Sequence, residues 1–268
     1  MRWAVVRDLL TTEIRRRMSY RADFWLSAFA SLAVRLAVVW FIVHAVFAGS
    51  RRSGIGGYDA QGMLVYYIAA ILVGKLVQTT ELEQGISQDI YEGGLTRYLL
   101  YPVPYGVVKY VQQLGALGPA AIQLVLFGAW LPFVVGIPRD LTAAGIAMGI
   151  GAIVIANLLQ FLITFPIQLI AFWADNVWSL MVMHRFASAL LGGMLAPLSL
   201  FPESAQRILA ALPFRYLFAF PVETLLGRVG PAEWAGGMAI GLCWCGIMAM
   251  VGRAVWRAGT YQYTGVGI

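Results

Sequence analysis

Charge is scarce in this chain. Of 268 residues, 12% are Asp, Glu, Lys or Arg, about half the share carried by an average soluble domain. Lysine occurs only at positions 75 and 109, and histidine only at 44 and 184. The two cysteines, Cys243 and Cys245, cannot build a disulfide framework. Without further ligands beside them they make no metal site, and they read as small packing residues in an apolar tract. No basic stripe interleaved with stacking aromatics is present, so no nucleic-acid partner is expected despite the net charge of +6. Two isolated histidines with no acid nearby supply no catalytic constellation, and no catalytic or metal residue is assigned.

What fills the space is hydrophobic: 60% of the residues, in long uncharged tracts. Tyr110 to Pro138 runs 29 residues without a charge and Leu141 to Ala174 runs 34. Since about 20 apolar residues cross a bilayer core, the chain reads as an all-α membrane protein. Six spans are expected, over about 24–48, 63–80, 107–135, 143–173, 177–200 and 234–255. The first 22 residues form a separate N-terminal unit. There Trp3, Val6, Leu10 and Ile14 share one helical face, opposite Arg7, Asp8, Thr11, Arg15 and Arg16, the pattern of a helix lying among headgroups. The arginine-bearing start lacks a cleavage site of the signal-peptide kind. Residues 202–230 are too polar for a simple span and too apolar for a free loop. With Pro202, Pro213 and Pro221 they read as a re-entrant or interfacial helical pair.

Basic residues set the orientation. With the N-terminus in the cytoplasm, ten Lys and Arg fall on the cytoplasmic side and six outside; Arg35, Lys75 and Arg185 lie within spans. Six spans return the C-terminus to the cytoplasm.

The stretch between spans two and three is the most informative. Leu82, Ile86 and Ile90 repeat every four residues with acids between them, and Gly93-Gly94 provides a helix stop. A short amphipathic helix over 81–94 is expected, suited to a groove on a partner protein. Its acidic face disfavours the alternative of lying on lipid, since anionic headgroups attract basic helices. The residues expected to make the contact are Glu81, Glu83, Gln84, Ile86, Asp89, Ile90 and Glu92.

The segment I-S-Q-D-I-Y-E-G-G-L-T-R-Y-L-L-Y-P-V-P resembles the cytoplasmic loop of bacterial permeases of the type 2 ATP-binding-cassette exporter superfamily. Leu212 to Gly227 and the tail Gly259 to Gly267 are similar to further marks of one branch of inner-membrane permeases, and the resemblance covers essentially the whole chain. It implies an N-terminal connecting helix over about 5–18, a coupling helix over about 81–94 and a re-entrant external segment before the last span. It also implies a nucleotide-binding ATPase subunit as partner and a second permease, identical or related. This chain carries no G-x-x-x-x-G-K-[ST] phosphate loop, because Gly74-Lys75 is followed by Leu76 inside a span. It is therefore expected to be no enzyme by itself and to bind no cofactor, with ATP and Mg on the partner ATPase.

Buried cations are costly, on the order of 3 kcal/mol at a helix centre, so Arg35, Lys75 and Arg185 should face protein or water. They read either as part of a path for an anionic or amphipathic substrate or as structural and snorkelling residues. In the family the path lies between two permeases, lined mainly by spans two and five. That resemblance adds Tyr66, Val73, Met181, Ser188 and Met194 to Arg35 and Arg185 as path candidates. An ion-gradient carrier would want mid-span carboxylates and related halves, and neither is found. A membrane-bound anchor that does not transport remains open, and so does the substrate.

Overall fold

The computed structural model describes residues 7, 11, 12, 23–48, 54–78, 85–135 and 141–263. Apart from Arg7, Thr11 and Thr12, the expected connecting helix lies outside them, as do Glu81, Glu83 and Gln84 of the expected coupling helix. Among the described residues the fold is helical, with one isolated bridge, Ile55 to Tyr58. The long helices are α1 (Asp23–Ala48), α2 (Ala60–Val77), α5 (Tyr105–Val135), α6 (Ala143–Leu169) and α10 (Pro231–Thr260). Short ones are α3 (Gly85–Tyr91), α4 (Leu95–Leu99), α7 (Trp178–Leu191), α8 (Glu203–Ala211) and α9 (Ala219–Leu225).

The starts of the long helices are written locally. Asp59 stays extended and its side chain accepts from Gly62 N, so α2 begins a turn before the first residue expected of span two. Thr142 caps α6 in the same way through Gly145 N, and Pro231 opens α10 with a fixed helical φ. Four stretches of the described residues are long and apolar enough to cross a membrane: Ala30–Ala48, Ala60–Val77, Ala143–Phe172 and Pro231–Thr260. The 31-residue α5 stands where the third span was expected.

The fifth expected span, 177–200, is not one helix. Gly192 follows α7, and Gly193 takes φ +86°, a left-handed conformation that favours glycine. Pro197 then prevents any resumption before the single 3₁₀ turn Leu198–Leu200. The 14 residues of α7 reach about 21 Å, short of the roughly 30 Å bilayer core. The exposed backbone groups are taken up within the protein: Tyr66 Oη donates to Gly193 O (2.8 Å) and Ala219 N donates to Gly192 O (2.8 Å).

The helices run between two ends. At one, the starts of α2, α6 and α10 meet α9 and the 3₁₀ turn Pro213–Leu217. At the other, the ends of α6 and α10 meet α3 and the start of α5. The main core lies around α2, α6 and α9, where Tyr66, Val73, Leu159, Leu217 and Phe218 are fully enclosed. Small residues allow the contact: a Cβ at Gly237 would stand 2.3 Å from Phe220, and one at Gly149 would stand 2.4 Å from Leu225. The outer face of α1 stays apolar and exposed, with Val34, Val38 and Phe41 on it.

Candidate functional site

The short helix α3 is built by its apolar spacing. Ile86 and Ile90 fall one turn apart and are buried against the end of α6 and the 3₁₀ turn Ile170–Phe172. Gly93, at φ +71°, stops the helix as its sequence suggested. Asp89 lies three residues after Ile86, on the same inward face, so its carboxylate is carried into the protein. A buried carboxylate needs partners. Lys109 Nζ from α5 lies 2.6 Å from Asp89 Oδ2, and Tyr105 Oη donates to the same oxygen at 2.8 Å. Arg97 approaches Oδ1 at 3.5 Å, with its own side chain two-thirds exposed. Lys109 also donates to Gly85 O and sits 4.7 Å from the Tyr98 ring centroid.

Further bonds tie this cluster to the bundle. Ile86 N donates to Gln168 Oε1 (3.1 Å) on α6, and Tyr91 Oη donates to Ala174 O (2.9 Å) between α6 and α7. Burial of Tyr91 holds its phenol above the ordinary tyrosine range. From the C-terminal side Tyr263 Oη donates to Gly93 O (2.7 Å) and accepts from Thr96 N (3.2 Å).

Gln168 is the last member of a polar seam that sequence reasoning passed over. Asn157, Gln160, Thr164 and Gln168 recur every three or four residues along α6, and all are buried. Asn157 Nδ2 donates to Leu76 O at the end of α2 (2.7 Å), and Gln160 Nε2 meets His184 Nε2 of α7 (3.3 Å). Among the described residues, Asn157 Oδ1, Gln160 Oε1 and Gln78 Nε2 stay buried without a partner. A seam with spare polar capacity thus joins α2, α6, α7 and α3. Its signal in the sequence was the three-and-four spacing of amides within an otherwise apolar tract.

The expected docking residues are therefore divided. Ile86, Asp89 and Ile90 are buried and hold α3 onto its own chain, because the apolar repeat turns that side inward. Glu92 is exposed, together with Gln88, Thr96, Leu99 and Leu100. The path candidates divide too. Tyr66, Val73, Met181 and Ser188 are buried within this chain, at contacts among α2, α7 and their neighbours. Met194 is partly buried and reaches toward Gly74, while Arg35 and Arg185 lie on the exposed surface.

At the other end Arg215 joins Glu223 (3.4 Å) and Glu233 (3.7 Å). Burial pushes the Glu223 carboxyl above the usual carboxylate range, opposed by Arg215. Arg228 stacks over the Tyr58 ring at 3.8 Å, and burial, opposed by that arginine, pushes the Tyr58 phenol up to about 12.

A family model described as ABC-2 family transporter protein matches residues 34–267. No curated protein matches the chain.

Proposed function

Since the chain belongs to the ABC-2 transporter family, as an ABC-2 type permease crossing the membrane several times, we propose that it is the membrane half of an ATP-driven exporter. Its substrate class is hydrophobic or amphipathic, taken from the cytoplasm or the inner leaflet of a bacterial inner membrane. Membership implies an ATP-binding subunit, and ATP is hydrolysed there. Two permeases, identical or related, pair over two such subunits, with both termini of this chain in the cytoplasm and residues 202–230 re-entering from outside. The bond from Ala219 N to Gly192 O supports the last point, because it folds that segment back against the end of α7. Irregular backbone is tolerated at membrane depth only where protein covers it.

The observation that carries the reading is the anchoring of α3. A coupling element must present an outer surface while being fixed to the helices it moves. Gln88 and Glu92 give α3 the surface; Asp89–Lys109 and Ile86–Gln168 give it the attachment. Closure of the ATPase pair would pull α3, and Gln168 would pass the displacement along the α6 seam to α2 and α7. Such motion suits alternating access, since the seam has amide groups free to take new partners.

The test is co-purification with nucleotide-binding subunits of the same genome, followed by ATPase assay in lipid. Reversing the exposed charge of Glu92 with Glu92→Lys and adding a second cation with Gln88→Lys should dissociate the complex while the permease elutes as before. If no nucleotide-binding subunit is retained by the unaltered chain, the exporter reading fails.

A further inference from the structure

At the α3 end, between the Leu99–Pro104 turn, the start of α5, α6 and α10, lies a cavity of about 720 Å³. Its size falls within the roughly 300–1,000 Å³ of ligand sites. Tyr110, Phe161, Phe165 and Trp256 form apolar walls, and among the described residues Arg253 is the one charged residue on the lining. Arg253 is exposed and stands at the rim; Arg257 follows one helical turn later on the exposed side of α10. Neither has an ion-pair partner among the described residues.

The cavity follows α6 from Leu158 to Phe165 and α10 from Ala249 to Trp256, about 10 Å along each axis. That is roughly two-thirds of one leaflet of a 30 Å hydrocarbon core. An apolar cavity of this kind does not hold water well. It asks for a hydrocarbon chain that enters from the side, carrying an anion level with Arg253.

We propose that the cavity binds one acyl chain of an anionic phospholipid whose headgroup phosphate is held by Arg253. Arg253 and Arg257 make the rim positive, which favours a headgroup lacking the compensating cation of choline, and the aromatic walls accept the chain. Occupancy bears on α3, because the wall is continuous with the ion cluster: Trp256 stacks on Tyr105 at 5.0 Å, and Tyr105 Oη donates to Asp89. A filled cavity braces Tyr105 and with it the carboxylate that anchors α3. Only the choice of the cytoplasmic leaflet rests on the exporter reading; binding itself does not.

Trp256 offers a direct readout, since bromine on an acyl chain quenches a tryptophan it touches. The full chain is reconstituted in nanodiscs of zwitterionic lipid containing either brominated phosphatidylglycerol or brominated phosphatidylcholine. Trp256→Phe is used to isolate the contribution of that one ring. Brominated phosphatidylglycerol should quench Trp256 preferentially, and Arg253→Gln should lower that preference by about fivefold, the share of one interfacial arginine. Ala249→Leu, which fills the cavity, should remove the Trp256 contribution for both lipids. Equal quenching by the two lipids, unchanged by Arg253→Gln, would mean ordinary boundary lipid and overturn the proposal. Native mass spectrometry of the unaltered chain after delipidation is the second measurement. One retained phosphatidylglycerol per chain is expected, and none retained refutes the site even if Trp256→Phe does not fold. Neither readout involves an ATPase, so loss of the lipid site and loss of the exporter reading remain separate results.

Discussion

The two ends of the helix bundle each set a carboxylate against arginine or lysine, and they do it differently. At the α3 end Asp89 is enclosed by Lys109 at 2.6 Å and Tyr105 at 2.8 Å, with Arg97 adding a solvent-side contact. At the α9 end Arg215 is shared between Glu223 and Glu233 at 3.4 and 3.7 Å, and its buried Nε has no partner among the described residues. What holds the α9 end is volume: Phe220 against Gly237 and Leu225 against Gly149. The α3 end is held by directional bonds from distant parts of the chain, including Gln168 and Tyr263. Close packing resists displacement in every direction, whereas a few oriented bonds let a small element move as one piece with whatever they grip. On the exporter reading, the contrast suits an end that receives force and an end that closes over its neighbours.

The largest break should come from removing Lys109. Lys109→Met leaves Asp89 buried without its closest cation, at a cost of about 3–5 kcal/mol. Thermal unfolding in detergent should show a large fall in midpoint together with loss of α3 docking. Because an apolar pair of similar volume can replace a buried ion pair, Asp89→Leu with Lys109→Met should recover most of the midpoint. If the single variant is as stable as the unaltered chain, the ion cluster is not what fixes α3.

The α9 end should respond to added volume and not to charge. Gly237→Ala drives a methyl into Phe220, and Gly149→Ala meets Leu225, including its Cα at 3.1 Å. Overpacking of this kind costs roughly 1–3 kcal/mol. Glu233→Gln at the same end should change the midpoint little, because its side chain is 60% exposed. A larger fall from Glu233→Gln than from Gly237→Ala would reverse the contrast between the ends.

Much of this was legible from residue order, and the illegible part has a physical pattern. The expected spans over about 63–80, 143–173 and 234–255 followed from apolar tracts and fall on long apolar helices, whose starts at Asp59, Thr142 and Pro231 the structure sets within about one helical turn of them. Gly93 marked the end of α3, because such a signal acts within one helical turn. The facing of α3 was not legible. An apolar i, i+4 pair with acids beside it fits either a partner groove or the chain's own core, and Lys109, which decides between them, lies 20 residues further on. Tyr66, Val73 and Ser188 were placed on a path by resemblance, yet their surroundings depend on α7 stopping at Gly192 and on Ala219 folding back to meet it. The seam on α6 went unnoticed because amides do not interrupt a tract judged by charge.

That seam supplies a smaller test of the α3 end. Gln168→Leu keeps the side-chain bulk but leaves the buried Ile86 N–H without its acceptor, a loss of about 1–3 kcal/mol. Hydrogen exchange at Ile86 should accelerate while the α9 end, including the Ala219 amide, stays protected. Equal acceleration at both ends would mean that the bundle opens as one unit and that α3 is not separately attached.

The smallest stability effect belongs to Glu92, and it isolates docking from folding. Glu92 is exposed, so Glu92→Lys should shift the unfolding midpoint by no more than a surface substitution does, about 0.5 kcal/mol either way. On the exporter reading its consequence is on assembly: a reversed charge at a rim weakens association chiefly through the on-rate and makes it more sensitive to salt. Titrating the nucleotide-binding subunit onto nanodisc-held permease at low and high ionic strength measures this. A large loss at low salt that narrows at high salt assigns Glu92 to the contact. An unchanged titration at both salts would move the contact away from α3, and the anchoring by Asp89 would then serve only the permease's own fold.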